Sequence, residues 1–475
     1  MAIFPGSAIP SAVSSYDIDN SCRFYSGTMT RTPSSQGSLQ KLTISMWVKA
    51  GVLAGGGGAT FGTVIGGDGE GGYSIRAAGE LEFYWYAYGE PEGSRYVIFT
   101  KSIALFRDPA AWYHVVIAMD TTQAVDSNRA RMYVNGEYVE NQAAPYLTNT
   151  PYPPINYNTG FNKTNVHTIG SGWKGYISDF YYVDGTQYDP DDFGELNSAT
   201  NQWVPLDSDD VKDAITFGTN GFYLDFADSA ALGDDDSGEG NDWAVSSLDA
   251  NDQMIDTPTN NFATLNPIRK SVTAMTISEG NLQWSGVGTN YTNLVGTVPM
   301  MSGKWYFEIC NTQVDSAGWI EARVGLLSVQ SQAEIQGSTH DAKGTLFYQG
   351  ADGKIWCGNG TGSADNFTYG NTYTDGDIIG IAVNMTDSQV TFYKNNTAQN
   401  SGTPFDFSNM TQPYGIDDGA LPWVSGIYVA DSQVINFGQD SSFAGNKTPQ
   451  GNQDSNSKGD FYYAPPTDYL ALCTD

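Results

Sequence analysis

Leu42-Thr43-Ile44-Ser45-Met46-Trp47-Val48 decides the fold class. Apolar side chains recur at every second position, the period of a β-strand, with Thr and Ser between them. The stretch predicts a strand half buried on a core. Trp112 through Met119 repeats the pattern, with Val115, Ile117 and Met119 on one face. Arg131-Met132-Tyr133-Val134 runs into Asn135-Gly136, a pair that tolerates positive φ and so signals a tight hairpin. Tyr138-Val139 begins the return strand, and Gly175 through Val183 reads as another strand closed by Asp184-Gly185. No amphipathic helical pattern exceeds two turns. The class is therefore all-β, with antiparallel sandwiches as the simplest architecture.

Composition agrees and excludes several functions. The 475 residues include 54 Gly, 29 Tyr and 11 Trp, and only 16 % are charged, a balance suited to strands and turns. Lys and Arg total 22 against 53 Asp and Glu, a net charge of −31 that repels phosphate backbones, so no nucleic-acid partner is expected. No apolar run approaches the ~20 residues of a membrane helix, so no membrane insertion is expected. Met1 through Gly6 shows no basic, apolar leader pattern. Cys22, Cys310, Cys357 and Cys473 lie far apart, without metal-ligand spacing, and read as buried free thiols.

The chain organises into two strand-rich regions. The first is placed at 1–200. An acidic segment with one added strand, Gly221 through Phe226, follows at 201–262 and reads as a linker. The second strand-rich region is placed at 263–444. A polar tail at 445–475, rich in Asn, Gln, Ser and Gly, reads as a loop or mobile segment.

The second region resembles a SPRY domain. The resemblance rests on Gly303-Lys304-Trp305-Tyr306-Phe307-Glu308, Arg323-Val324-Gly325-Leu326, Asp375 through Asn384, Val390 through Asn396 and Asn436-Phe437-Gly438-Gln439. Asn384 stands where that family usually has an acid, and Asn396 where it has a turn glycine. The first region is similar to laminin-G or concanavalin-A-like sandwiches. Its carriers are Ile44 through Lys49, Trp112 through Val116 and Met132 through Gly136. The linking segment, with Asn260 through Pro267, and the ending Tyr462 through Thr474 resemble a chain type of tailed bacteriophages, marine ones especially. That resemblance implies a virion protein without assigning it a job in the particle.

Candidate sites follow from residue chemistry. Phe83-Tyr84-Trp85-Tyr86 places aromatics on both faces of a predicted strand, and a pyranose face stacks on exposed aromatic rings. Tyr84, Trp85 and Tyr86 are thus candidate ligand contacts, with Trp173 near a turn and Trp423 in a polar loop at one rim. The bland alternative for all five is core or subunit interface. Asp225, Asp228, Asp234, Asp235, Asp236, Asn241 and Asp242 supply oxygens for a candidate calcium site, since hard cations take six to eight of them. Gly238 breaks the EF-hand pattern, and the alternative is a solvated acidic loop.

Catalysis has little sequence support. No G-x-S-x-G elbow occurs, and no Glu is followed by Asp two positions later, which would put two carboxylates on one strand face. His114 and His167 read as structural, and His340 falls in a loop. The expected function is a non-enzymatic phage virion protein of a tail fibre or appendage that recognises host-surface glycan or protein. It would sit among other virion proteins as a homo-oligomer, a trimer being usual for a fibre. Capsid decoration is the alternative, followed by a tailspike-type glycan depolymerase.

Overall fold

The computed structural model describes residues 16–51, 106, 108–139, 152–170, 172–270, 275–286, 292–313, 322–331, 343–358, 365–408, 415–426 and 431–474. For 59–60, 71–77, 81–87, 98–102 and 141–142 it describes backbone strand pairing alone. The chain divides into two compact units, 1–261 and 262–474. Each is built from antiparallel sheets, as the alternating apolar rows predict. Among the described residues no helix is long and apolar enough to cross a membrane.

The main sheet of the first unit runs Glu137–Tyr138, Ala130–Val134, Trp112–Asp120, Lys41–Ala50, Gly175–Asp184, Ser21–Phe24, Gln253–Met254. Phe222–Leu224 also pairs with Gly175–Asp184. Leu42, Ile44, Met46 and Val48 share one face with Val115, Ile117 and Met119, packed against Met29, Phe161 and Ile169. The expectation of a half-buried strand is corrected here, because nine of the ten residues of Lys41–Ala50 are buried. Trp47 on its second face packs with Ile18, Trp112, Tyr176 and Met254. On the same side of the sheet, Val116, Ala118, Tyr181 and Val183 lie under Phe193, Val211, Ile215 and Phe217. The segment expected as a linker thus belongs to the first unit, as a cover on this second face.

That cover is pinned by buried polar groups. His114 is stacked on Trp47 with ring centroids 4.9 Å apart, and the Trp203 indole N–H donates to its Nδ1 at 2.9 Å. Nδ1 is therefore the acceptor nitrogen, and Nε2–H donates to Ser45 Oγ at 2.8 Å. Burial keeps the ring neutral, pulling its pKa down to about 3. Asp179 sits at a bulge with φ of 51°. Its buried carboxyl accepts from the Tyr181 and Tyr223 hydroxyls, and burial pushes its pKa up to about 7.

The second unit is a sandwich of two sheets. One runs Leu265–Lys270, Thr292–Gly296, Ala420–Gly426, Arg323–Ser328, Thr345–Gln349, Lys354–Cys357, Asp365–Thr368. The other runs Met275–Ser278, Gln283–Gly286, Ser432–Asn436, Lys304–Gln313, Ile378–Asn384, Gln389–Lys394, Thr397–Ala398. Tyr348 of the first sheet meets Phe392 of the second with ring centroids 5.3 Å apart, which places the core between them.

The polar tail is part of this unit, contrary to the expectation of a mobile segment. Leu470–Ala471 pairs in parallel with Trp305 and Tyr306 of Lys304–Gln313. Phe461 is fully buried, 5.3 Å from the Tyr306 ring. Asp454 accepts from the backbone N–H of Asn456, Lys458 and Ala471, so a polar sequence is ordered by its own side chains. Glu308, buried in Lys304–Gln313, accepts from the N–H of Tyr462 and Tyr463 at 2.8 Å each. The Tyr306 hydroxyl at 3.1 Å and the Asn436 amide at 3.4 Å complete its shell.

Candidate recognition surface

An Asn-Gly turn creates an exposed aromatic patch in the first unit. Asn135 (φ 51°) and Gly136 (φ 78°) close a two-residue hairpin that sets Tyr138 directly across from Tyr133. A side chain at Gly136 would collide with the Trp203 ring, so the tight turn also fits the cover beneath it. Glu137–Tyr138 lies at the end of the sheet, which leaves Tyr138 42 % exposed. Tyr133 beneath it is buried, with ring centroids 5.8 Å apart and the rings edge to face.

Polar groups ring these tyrosines. The Tyr133 hydroxyl donates to Asp189 at 3.2 Å and accepts from Arg131 at 3.4 Å. The Arg131 guanidinium lies 3.9 Å from the Asp189 carboxylate, and both remain partly open to solvent. Burial, followed by a hydrogen bond with Tyr152, pushes the Tyr138 hydroxyl up to about 12, so it stays protonated and able to donate. The patch offers a flat apolar ring beside a carboxylate, a guanidinium and phenols. Such a set can stack on the apolar face of a sugar ring and hydrogen-bond its hydroxyls. The hairpin was legible in the sequence. The exposure of Tyr138 was not, because it depends on which strand ends the sheet.

The residues singled out from sequence are not gathered into one site. Tyr84, Trp85 and Tyr86 lie on Leu81–Ala87, paired on one side with Gly71–Ala77 and on the other with Ile98–Ser102. Their side chains lie outside the described residues, as does His340. Trp173 is a correction: it is 3 % exposed and packs in the first unit's core, where an external ligand does not reach it. Trp423 is a second correction. It is a strand residue, fully buried with Val295, Leu327, Phe347 and Leu421, and so is core rather than a rim contact.

Several oxygens of the Asp-rich loop are engaged by the protein itself, while Asp228, Asp234, Asp236 and Asp242 remain exposed. Asp235 accepts from the N–H of Tyr223, Ser237 and Asn241, and Asp242 from that of Asp235. Asp225 and Asp228 cap the N–H of Ala227 and Ala230. Asp236 is paired with Lys212 at 2.7 Å. The Asn241 amide donates to Thr219 and Gly221 carbonyls, and its oxygen accepts from Arg31. The Asp234 backbone N–H closes a turn onto Ala231. Among the described residues no three His, Cys, Asp or Glu side chains are grouped as a metal ion would require. The four cysteines are free and buried.

Comparison with known proteins places two domains on this chain. Residues 26–187 match the Concanavalin A-like lectin/glucanases superfamily. Residues 304–439 match the SPRY domain. Among solved structures, the chain is similar to the SPRY domain of human HERC1. That match has 14 % identity and a TM-score of 0.28, and covers 36 % of this chain and 96 % of that one. It is also similar to the PSpry domain of TRIM65, at 11 % identity and a TM-score of 0.26, over 37 % of this chain and 89 % of that one.

Proposed function

We propose that this chain, a concanavalin A-like domain followed by a SPRY domain, is a non-catalytic recognition protein of a phage virion surface. Its ligand is a host-surface glycan. The observation that carries the reading is the exposed Tyr138 patch, an aromatic ring flanked by Arg131, Asp189 and Tyr152 on the domain whose superfamily name includes lectins. A non-catalytic role is supported by the perturbed acids Asp179 and Glu308. Both are buried and occupied by structural hydrogen bonds, not open to a cleft.

One shallow patch binds weakly, so function rests on several copies presenting it together, with avidity multiplying modest contacts. The net charge of −31 limits adhesion to anionic surfaces and leaves discrimination to the patch. The test is binding of the purified chain, displayed multivalently, to an array of bacterial surface polysaccharides, beside Tyr138→Ala. Glycan binding lost in the variant at unchanged melting temperature is the expected result. Binding unaffected by the variant, or release of reducing sugar from a bound polysaccharide, overturns the reading. Electron microscopy of virions tests location, and a position flat on the capsid lattice would favour decoration.

A further inference from the structure

In the first unit a lysine, an aspartate and an asparagine meet where no solvent reaches. Lys49 and Asp256 are both fully buried, with Lys49 Nζ 2.6 Å from Asp256 Oδ2. The same Nζ lies 2.7 Å from Asn261 Oδ1, although the two residues stand 212 positions apart. The Asn261 amide nitrogen donates to the Ala110 carbonyl at 2.7 Å, which fixes the direction of the amide. The Trp112 indole N–H donates to the other Asp256 oxygen at 3.1 Å, and the Tyr176 ring centroid lies 5.7 Å from Nζ.

An ion pair in such a place is costly, because desolvation offsets much of the attraction. Burial lowers the proton affinity of Lys49 more than Asp256 and Asp108 raise it, and Asp256 Oδ2 is placed to accept the proton. Transfer along that 2.6 Å contact leaves a neutral amine beside a neutral carboxylic acid, the state a low-dielectric interior favours. The amine then has a lone pair and the Asn261 amide carbon at hand. A carbonyl bond spans ~1.23 Å, so Asn261 Cγ lies at most about 3.9 Å from Nζ, close to the ~3–3.5 Å of a near-attack arrangement.

We propose that Lys49 and Asn261 join in an intramolecular isopeptide bond, with Asp256 relaying the proton. Nζ attacks Cγ, and the Nζ–Cγ bond forms. One of the two amine hydrogens passes to Nδ2 through the Asp256 carboxyl, the Cγ–Nδ2 bond breaks, and ammonia leaves. The ammonia carries away the proton that Asp256 first took, as ammonium, and the carboxylate is restored. No oxidant or co-reactant enters, because an amine and a primary amide become a secondary amide and ammonia. The product removes the buried cation and ties strand Lys41–Ala50 covalently to the end of the first unit.

Mass spectrometry of the full chain tests this. The intact chain should be lighter than its sequence mass by one ammonia. Trypsin does not cut after an acylated lysine, so digestion should yield one branched species joining 42–76 to 213–269. Separate Lys49 and Asn261 peptides in the wild-type chain overturn the proposal. So does an ammonia loss that maps to an Asn-Gly succinimide with those two peptides unlinked. Asp256→Asn should leave the peptides separate, and a cross-link formed as completely in that variant overturns the proton relay. The wild-type digest decides the bond itself even where a variant fails to fold.

Discussion

Glu308→Gln should change both the stability of the second unit and the way that stability follows pH. Burial raises the Glu308 carboxyl from its ordinary 4.5 to about 7. Its contribution is fully present below 4.5 and is lost as pH rises through about 7, so this unit should weaken between those values. At about 1.4 kcal/mol per pH unit, the change amounts to ~3 kcal/mol. Asp377 lies below the ordinary carboxylate range, and burial raises Tyr306, Cys310 and Cys357 above theirs, so none of these titrates in the window. In a unit of this size ~3 kcal/mol corresponds to roughly 6–12 °C in Tm. Gln keeps one acceptor oxygen and turns an NH2 toward donors that used the other, the Tyr462 N–H and the Asn436 amide. The variant should therefore lose ~1–3 kcal/mol at pH 5 and show no slope up to pH 8. Thermal unfolding across that range, with hydrogen exchange of the 452–474 segment to identify the transition, measures both. A wild-type transition that strengthens with rising pH, or a variant that keeps the wild-type slope, would refute the reasoning.

Further outcomes follow from the same structure. In the first unit Asp179 loses its contribution as pH rises from 3.8 through about 7, whereas neutral His114 loses its own as pH falls from 6.5 toward about 3. The two oppose each other between pH 4 and 6.5, so His114→Gln should make this unit's denaturant midpoint fall more steeply with rising pH than it does in the wild-type chain. Trp423→Ala should cost ~3–5 kcal/mol by emptying a packed site, read as a lower urea midpoint, and should leave glycan binding by the folded chain unchanged. Tyr138→Ala should alter stability by no more than about 0.5 kcal/mol, because the residue is 42 % exposed at a sheet edge, while binding to the proposed glycan falls at least about tenfold, measured by surface plasmon resonance.

Short-range signals carried the strands and the hairpins, because period-2 alternation and Asn-Gly turns are local. What covers a sheet face is not local. Thr43, Ser45 and Lys49 alternate with apolar residues and so read as solvent-facing, yet all three are buried. Ser45 is satisfied by His114, and Lys49 by Asp256 and Asn261 from more than 200 positions away. The Asp-rich run read as a linker or a cation loop because its composition is polar. In the structure those carboxylates cap backbone N–H groups, a use that composition cannot distinguish from metal ligation. Trp423 misled for a related reason. The polar, glycine-containing stretch Gly415 through Trp423 suggested a loop, but Ala420–Gly426 is a strand inside its sheet and its tryptophan packs inward.

The buried charges share a placement that stability alone does not explain. Only 16 % of the residues are charged, yet several of these are sealed inside at points where a long irregular segment meets a sheet. Lys49 pairs with Asp256 where 250–261 closes on the first unit, and Arg23 with Asp252 in the same stretch at 3.4 Å. Glu308 holds the N–H groups of Tyr462 and Tyr463 where the tail folds back on the second unit. Apolar contacts alone would let such irregular, polar segments slide, since hydrophobic burial has little directional preference. A buried ionisable group does not tolerate sliding, because a shift of one residue strips it of its hydrogen-bond partners at a cost of several kcal/mol. Each pin therefore selects one register for a segment whose own sequence specifies none. The Lys49 pin goes further than the others, since its geometry allows the selected register to become covalent.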